Sequence, residues 1–165
     1  MQSGDLVFCY SKGIIGSSIR WAQKRFEKTQ YYKWNHVAVL HEKVGDDWTI
    51  IQAEAKGVTN DKMLSSVAPG GTYEVVPFPA DLDRVRFMNF LLTQVGSKYG
   101  FLSIFSCALD MALPDAICLR KDNTWICSGL VAGALWFCGF AKACDWGDLY
   151  TTTPAEIASA IISNK

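Results

Sequence analysis

Much that would betray a function is missing from this chain. Sixteen Lys and Arg residues balance sixteen Asp and Glu, so no global field steers it toward nucleic acid or anionic lipid. Only two histidines are present, and no two of the six cysteines are separated by the two residues of a zinc or dithiol redox motif. No metal or organic cofactor is implied, and free thiols point to a reducing compartment. After Met1 there is no basic-then-apolar leader, because Gln2-Ser3-Gly4-Asp5 runs straight into a strand. The longest apolar runs are Phe101 to Leu119, broken by Asp110, Pro114 and Asp115, and Ile126 to Ala141. The second contains three glycines and falls short of the roughly 20 residues a membrane span needs. Repeats, low-complexity tracts and linkers are absent too, so residues 1–165 are expected to form one cytoplasmic domain.

What is present suits a packed core. Half of the residues are apolar, and Trp21, Trp34, Trp48, Trp125, Trp136 and Trp146 give a high aromatic content for a core or an apolar cleft. Gly4-Asp5 reads as a turn into a short buried strand, Leu6-Val7-Phe8. Ser17 to Lys28 reads as a helix capped by Ser17 or Ser18, with Ile19, Ala22 and Phe26 inward. Trp34 to Leu40 and Asp47 or Trp48 to Ala55 read as a hairpin around Gly45-Asp46. Thr72 to Pro77 is an edge strand, given Pro77 and Pro79.

Asp81 to Val95 is an amphipathic helix ended by Gly96, with Val85, Met88, Leu92 and Val95 as its inner stripe. Cys127 to Phe137 is an apolar helix, and Thr153-Pro154-Ala155-Glu156 is a capping box that opens the last one. Strands and helices are segregated, so the class is α+β, an antiparallel sheet against a helical layer.

The chemistry centres on Trp125-Ile126-Cys127-Ser128-Gly129-Leu130-Val131. A cysteine at the front of a helix meets unpaired backbone N–H groups and the positive end of the macrodipole, and both favour thiolate. The same N–H groups can hold an oxyanion beside the sulfur. A base is then required. His36 lies within the first hairpin strand, whereas His41, next to Glu42 and Lys43, is expected at the turn in water. On the partner strand Gln52 and Glu54 share a face, and either can orient the imidazole; Glu54 also supplies charge. The same residues have plainer readings. A strand histidine is often a packed core residue, buried cysteines are usually inert, and Glu54 fits the solvent side of an alternating strand.

Several segments resemble the NlpC-type branch of papain-like cysteine peptidases. Cys127-Ser128-Gly129-Leu130-Val131 resembles that family's nucleophile helix, and Tyr99-Gly100-Phe101 resembles the approach to it. Gly4-Asp5-Leu6-Val7-Phe8 and His36-Val37-Ala38-Val39 resemble its strands, yet here they precede the cysteine. That order is similar to the circularly permuted relatives, the YiiX-like and lecithin:retinol-acyltransferase-like proteins. Thr153-Pro154-Ala155-Glu156 resembles a C-terminal element common in the superfamily.

The resemblance implies a permuted papain-like fold with Cys127 as nucleophile and His36 as base. Glu54, in Glu54-Ala55-Lys56-Gly57-Val58, takes the third position by likeness to permuted members. Gln52 takes it if the unpermuted pattern is followed. Tyr99 is implied near the oxyanion, with Gln52 and Ser128 at the substrate. Two departures, Gly100-Phe101 in place of an aromatic-Gly-Gly run and Trp125-Ile126 in place of the usual Asp, weigh against a peptidoglycan substrate.

The expected activity is therefore a thiol hydrolase, a peptidase or amidase cleaving a peptide or cell-wall amide through an acyl-enzyme. Acyl transfer or lipid deacylation is the alternative, and a catalytically inactive binding or structural protein is the third reading. Substrates of these classes are the expected partners, with no nucleic acid. Membrane contact has only the apolar Phe101–Leu119 run to suggest it, and oligomeric state has no readable signal.

Overall fold

Apolar runs such as Leu6-Val7-Phe8-Cys9 and Val37-Ala38-Val39-Leu40 can be satisfied only where both faces of a strand are covered. In this protein they occupy the middle of a five-stranded antiparallel sheet. A computed structural model describes residues 1–27, 29–68, 71–100, 124–146, 149 and 151–163. The strands are β1 (Leu6–Tyr10), β2 (His36–Val44), β3 (Asp47–Glu54), β4 (Gly57–Met63) and β5 (Thr72–Val76), in spatial order β4-β3-β2-β1-β5. The register sets Leu6 opposite Val39 and Val39 opposite Ile51. Leu6, Phe8, Val37, Val39, Ile51 and Ala53 thus point into the main core. Val7, Cys9, Ala38, Leu40 and Ile50 form a second cluster with Leu64.

Three helices contribute to the main core: α2 (Arg84–Thr93), α3 (Cys127–Phe137) and α4 (Pro154–Ile162). Every residue of α3 from Cys127 to Leu135 is buried, and its large apolar side chains contribute roughly 1.5–3 kcal/mol each. Gly133 lets α3 approach Trp125 and Phe90, since a Cβ there would stand 3.3–3.4 Å from those rings. The capping box at α4 is complete: Thr153 Oγ1 accepts from the Glu156 N–H at 3.2 Å, and Glu156 Oε2 accepts from the Thr153 N–H at 2.8 Å.

The remaining helix, α1 (Ile14–Ala22), runs on into a π-helical turn, Gln23–Glu27. It begins three residues before the expected Ser17. Gly13 is its N-cap, and the Ser18 hydroxyl, instead of capping, donates back to the Ile14 carbonyl at 3.0 Å.

The inner stripe expected for α2 is also corrected. Phe87 and Leu91 are buried, while Val85, Leu92 and Val95 are exposed and Met88 only partly buried. Phe87 packs on Phe78 with ring centroids 4.7 Å apart, and Arg84 is tied to Asp5 at 2.9 Å. Those anchors fix the helix phase. His41 is likewise not at the turn: β2 continues through it to Val44, and its side chain is only 13 % exposed, 3.6 Å from Glu42.

Two pairings escape a sequence reading. Strand β4, polar from Thr59 to Lys62, extends the sheet. Two short strands, β6 (Lys98–Tyr99) and β7 (Thr124–Trp125), pair in parallel. The apolar run of residues 101–119 lies outside the described residues. Among the described residues no helix is long and apolar enough to cross a membrane.

Candidate active site

The approach to Cys127 is fixed before the helix begins. β7 pairs with β6, the Gly100 N–H donates to the Trp125 carbonyl at 3.0 Å, and the Trp125 indole N–H donates to Gln94 Oε1 at 2.8 Å. This brings Tyr99 and Cys127 to the same place. Ile126 is the N-cap of α3, extended at φ −95° and ψ 162°, and no side chain caps the helix. The first-turn N–H groups are therefore not consumed by a capping oxygen, the usual fate at a helix start. The N–H groups of Ser128 and Val37 donate to the Cys127 sulfur.

His36 opens β2. Gln52 Oε1 accepts from its Nε2–H at 2.8 Å, which leaves Nδ1 for the Cys127 thiol, and the two side chains are hydrogen-bonded. A base oriented by a third group beside a nucleophile is the arrangement nucleophilic catalysis requires. Gln52 is buried and sits where Glu54 was expected. Counting back from the Val39–Ile51 pair, Gln52 is the diagonal neighbour of His36 on its face of the sheet, within reach of a long side chain. Glu54, half-buried at the end of β3, instead pairs with Lys62 of β4 at 3.2 Å. Its charge still acts on the imidazole.

The electrostatics of Cys127 and His36 run against their burial. Burial disfavours charge on His36, but the Cys127 thiolate, the hydrogen bonds to Cys127 and Gln52, and the Glu54 charge hold its pKa above that of ordinary imidazole. Burial likewise opposes a Cys127 thiolate. The His36 charge and hydrogen bond outweigh it, and the Val37 and Ser128 N–H groups add to them, so the thiol lies below its ordinary value. Burial and the nearby Cys127 and Glu54 charges raise Tyr99, which keeps its hydroxyl protonated as a donor.

The other described thiols behave oppositely. Burial, reinforced by Cys127, pushes Cys9 up to about 12, and its thiol donates to the Val7 carbonyl at 3.8 Å. Burial raises Cys138 as well. Cys107 and Cys118 lie outside the described residues. Among the described residues no group of three or more His, Cys, Asp or Glu side chains converges as a metal site would require.

The dyad opens into a cleft of about 1060 Å³, with Gln52, Glu54, Tyr99 and Ser128 also on its surface. Ser11–Ile14 and α1 form one wall, Lys62, Ser66 and Val67 another, and Thr153-Pro154 a third. Asn35, which the sequence reading passed over, holds the first wall. Its Oδ1 accepts from the Ser11 N–H at 3.0 Å and its Nδ2 donates to the Ser11 carbonyl at 2.9 Å. Its only sequence signal is its place directly before His36. Of the residues expected at the site, Cys127, His36, Gln52, Tyr99 and Ser128 converge, and Glu54 stands beside them with Lys62 as its partner. No protein-family model and no curated protein sequence matches this chain.

Proposed function

We propose that the protein is a thiol hydrolase of permuted papain-like fold that cleaves an amide through an acyl-enzyme. The observation that carries this reading is the Cys127–His36–Gln52 relay at the uncapped start of a buried helix. The Cys127 sulfur attacks the substrate carbonyl carbon, and a tetrahedral oxyanion forms against the N–H groups of the α3 first turn and the Tyr99 hydroxyl. The C–N bond breaks as the His36 Nδ1 proton passes to the leaving nitrogen. Water then gives a proton to His36 Nδ1 as its oxygen attacks the thioester carbonyl, and the C–S bond breaks to release the acid and restore the thiol–imidazole pair. Gln52 keeps the ring in the tautomer and orientation that both steps need. The order of the segments, with His36 before Cys127, supports the permuted form of the fold.

The cleft favours a second reading, deacylation of a lipid ester or transfer of its acyl group. Ile14, Ile19, Ala22, Val67 and Ile126 are among its walls, and each methylene buried there would raise kcat/KM roughly fourfold.

Activated p-nitrophenyl esters test both. The expected result is a burst of one equivalent of p-nitrophenolate, with the acyl group on the Cys127 peptide and no burst from Cys127→Ser or His36→Ala. Acylation scattered over lysines and other cysteines would overturn the hydrolase reading. A steady rise in kcat/KM from acetyl to octanoyl esters favours the lipid substrate, and a flat series favours the peptide amide.

A further inference from the structure

The exposed side of α1 is unusual for a helix on a water-soluble surface. Ile14 is 89 % exposed and Trp21 65 % exposed. Seven residues apart, they stand on one stripe two turns long, with exposed Ser17 and Ser18 between them. Phe26, in the π-helical turn, extends the apolar strip edge-to-face with Trp21 at 6.0 Å.

The charge around this strip is one-sided. Residues 11–35 carry Lys12, Arg20, Lys24, Arg25, Lys28 and Lys33 against the single acid Glu27, in a chain that is neutral overall. Glu27 offsets at most one of these six charges, and burial first, then the Glu156 charge, push its pKa up to about 7, with the Thr153 hydrogen bond acting the other way. Lys24, Arg25 and Lys33 are exposed and stand over the rings of Tyr32, Phe26 and Trp34. Among the described residues none of them, nor Lys12, pairs with a carboxylate. Arg20 is occupied inside, donating to the Ser11 carbonyl at 2.8 Å and stacking on Tyr10.

A basic helix with an exposed isoleucine and tryptophan matches the needs of a bilayer interface: apolar side chains enter the acyl boundary, indole sits at headgroup level, and cations meet anionic lipid. A nucleic acid would reward the cations but not Ile14. The same helix also lines the cleft, through Ile14, Ser18, Ile19 and Ala22.

We propose that α1, with Lys12, Lys24 and Arg25, is a docking surface for an anionic lipid bilayer that sets the mouth of the cleft against the headgroups. Docking is independent of the thiol chemistry, so it can hold or fail without it.

Co-sedimentation of the full chain with vesicles tests the proposal. The protein is expected to partition onto phosphatidylcholine vesicles containing phosphatidylglycerol, not onto phosphatidylcholine alone, and salt should weaken the binding. Lys24→Gln with Arg25→Gln should lower the partition coefficient roughly fivefold per cation. Trp21→Ser, at a residue outside the cleft lining, should lower it roughly tenfold. Val85→Ser, at an exposed apolar position on α2, should leave it unchanged. All variants should keep the parent Cys127 alkylation rate without vesicles, which separates lost docking from a damaged site. No binding to the anionic vesicles, or equal binding by every variant, would overturn the proposal. So would retention of a single-stranded oligonucleotide through Lys24 and Arg25 with no vesicle binding.

Discussion

At Cys127 two opposing effects meet. Burial favours the neutral thiol, while an imidazolium and two N–H donors favour thiolate, and the second set prevails. The pH behaviour follows from the directions of the two shifts. Cys127 is lowered, so thiolate persists as pH falls below an ordinary thiol's value; His36 is raised, so imidazolium persists as pH rises past its own. Alkylation of Cys127 should remain measurable near about pH 6, where an ordinary thiol of pKa about 8.5 is almost wholly protonated. Amide turnover should fall again once pH rises through the His36 value, because the leaving nitrogen then loses its proton donor.

Gln52 and Glu54 separate at this scale as well. Gln52→Ala frees the ring and should lower kcat by roughly tenfold to a hundredfold, with KM little changed. Glu54→Gln removes a charge already paired with Lys62 and should cost no more than about fivefold. The reverse ranking would restore Glu54 as the orienting group. Both residues were legible as candidates, since they share a face opposite His36. Which of them reaches the ring depends on diagonal geometry and on the Lys62 partner, and neither is written in local sequence.

Among the elements, legibility follows how local the signal is. Helix α3 and the capping box of α4 were readable because small residues, Thr153, Pro154 and Glu156 act within one or two turns. Helix α2 misled because apolar residues stand on two of its faces, and Phe78 and Asp5 from elsewhere choose between them. Strands β4, β6 and β7 were hidden because a polar or two-residue strand exists only through its partner.

Gly57 shows how such a partner is fitted. At φ 109° it turns β3 into β4, and a Cβ there would collide with the Ser97 carbonyl just before Tyr99. Gly57→Ala should therefore cost about 2 kcal/mol or more in denaturant unfolding and displace Tyr99 from the cleft. The π-helical turn holds Glu27, whose pKa rises from about 4.5 unfolded to about 7 folded. A raised acid favours the fold while protonated, so its contribution is lost as pH climbs through that interval, by about 3 kcal/mol in all. Glu27→Gln should thus stabilise the protein above about pH 8 and change little near about pH 5. Equal effects at both would contradict the shift.

For the whole molecule, the site is assembled from segments far apart in the chain. The proposed base comes at residue 36 and its proposed orienting group at 52, the tyrosine at 99 and the proposed nucleophile at 127. The antiparallel sheet sets the first two side by side, and the β6–β7 pair delivers the last two. Bulk composition, with its exact balance of charge, conceals an uneven distribution: residues 11–35 are basic although the chain is neutral. That asymmetry gains meaning only once the helix's exposed side is known.

Competitive alkylation tests the thiolate–imidazolium pair most directly. Substoichiometric iodoacetamide is added at neutral pH, and the six cysteines are compared by peptide mapping. Cys127 should react first, and His36→Ala should abolish that preference while the protein stays folded. Equal labelling of all six, or preferential labelling of Cys9, would contradict a nucleophile at the start of α3.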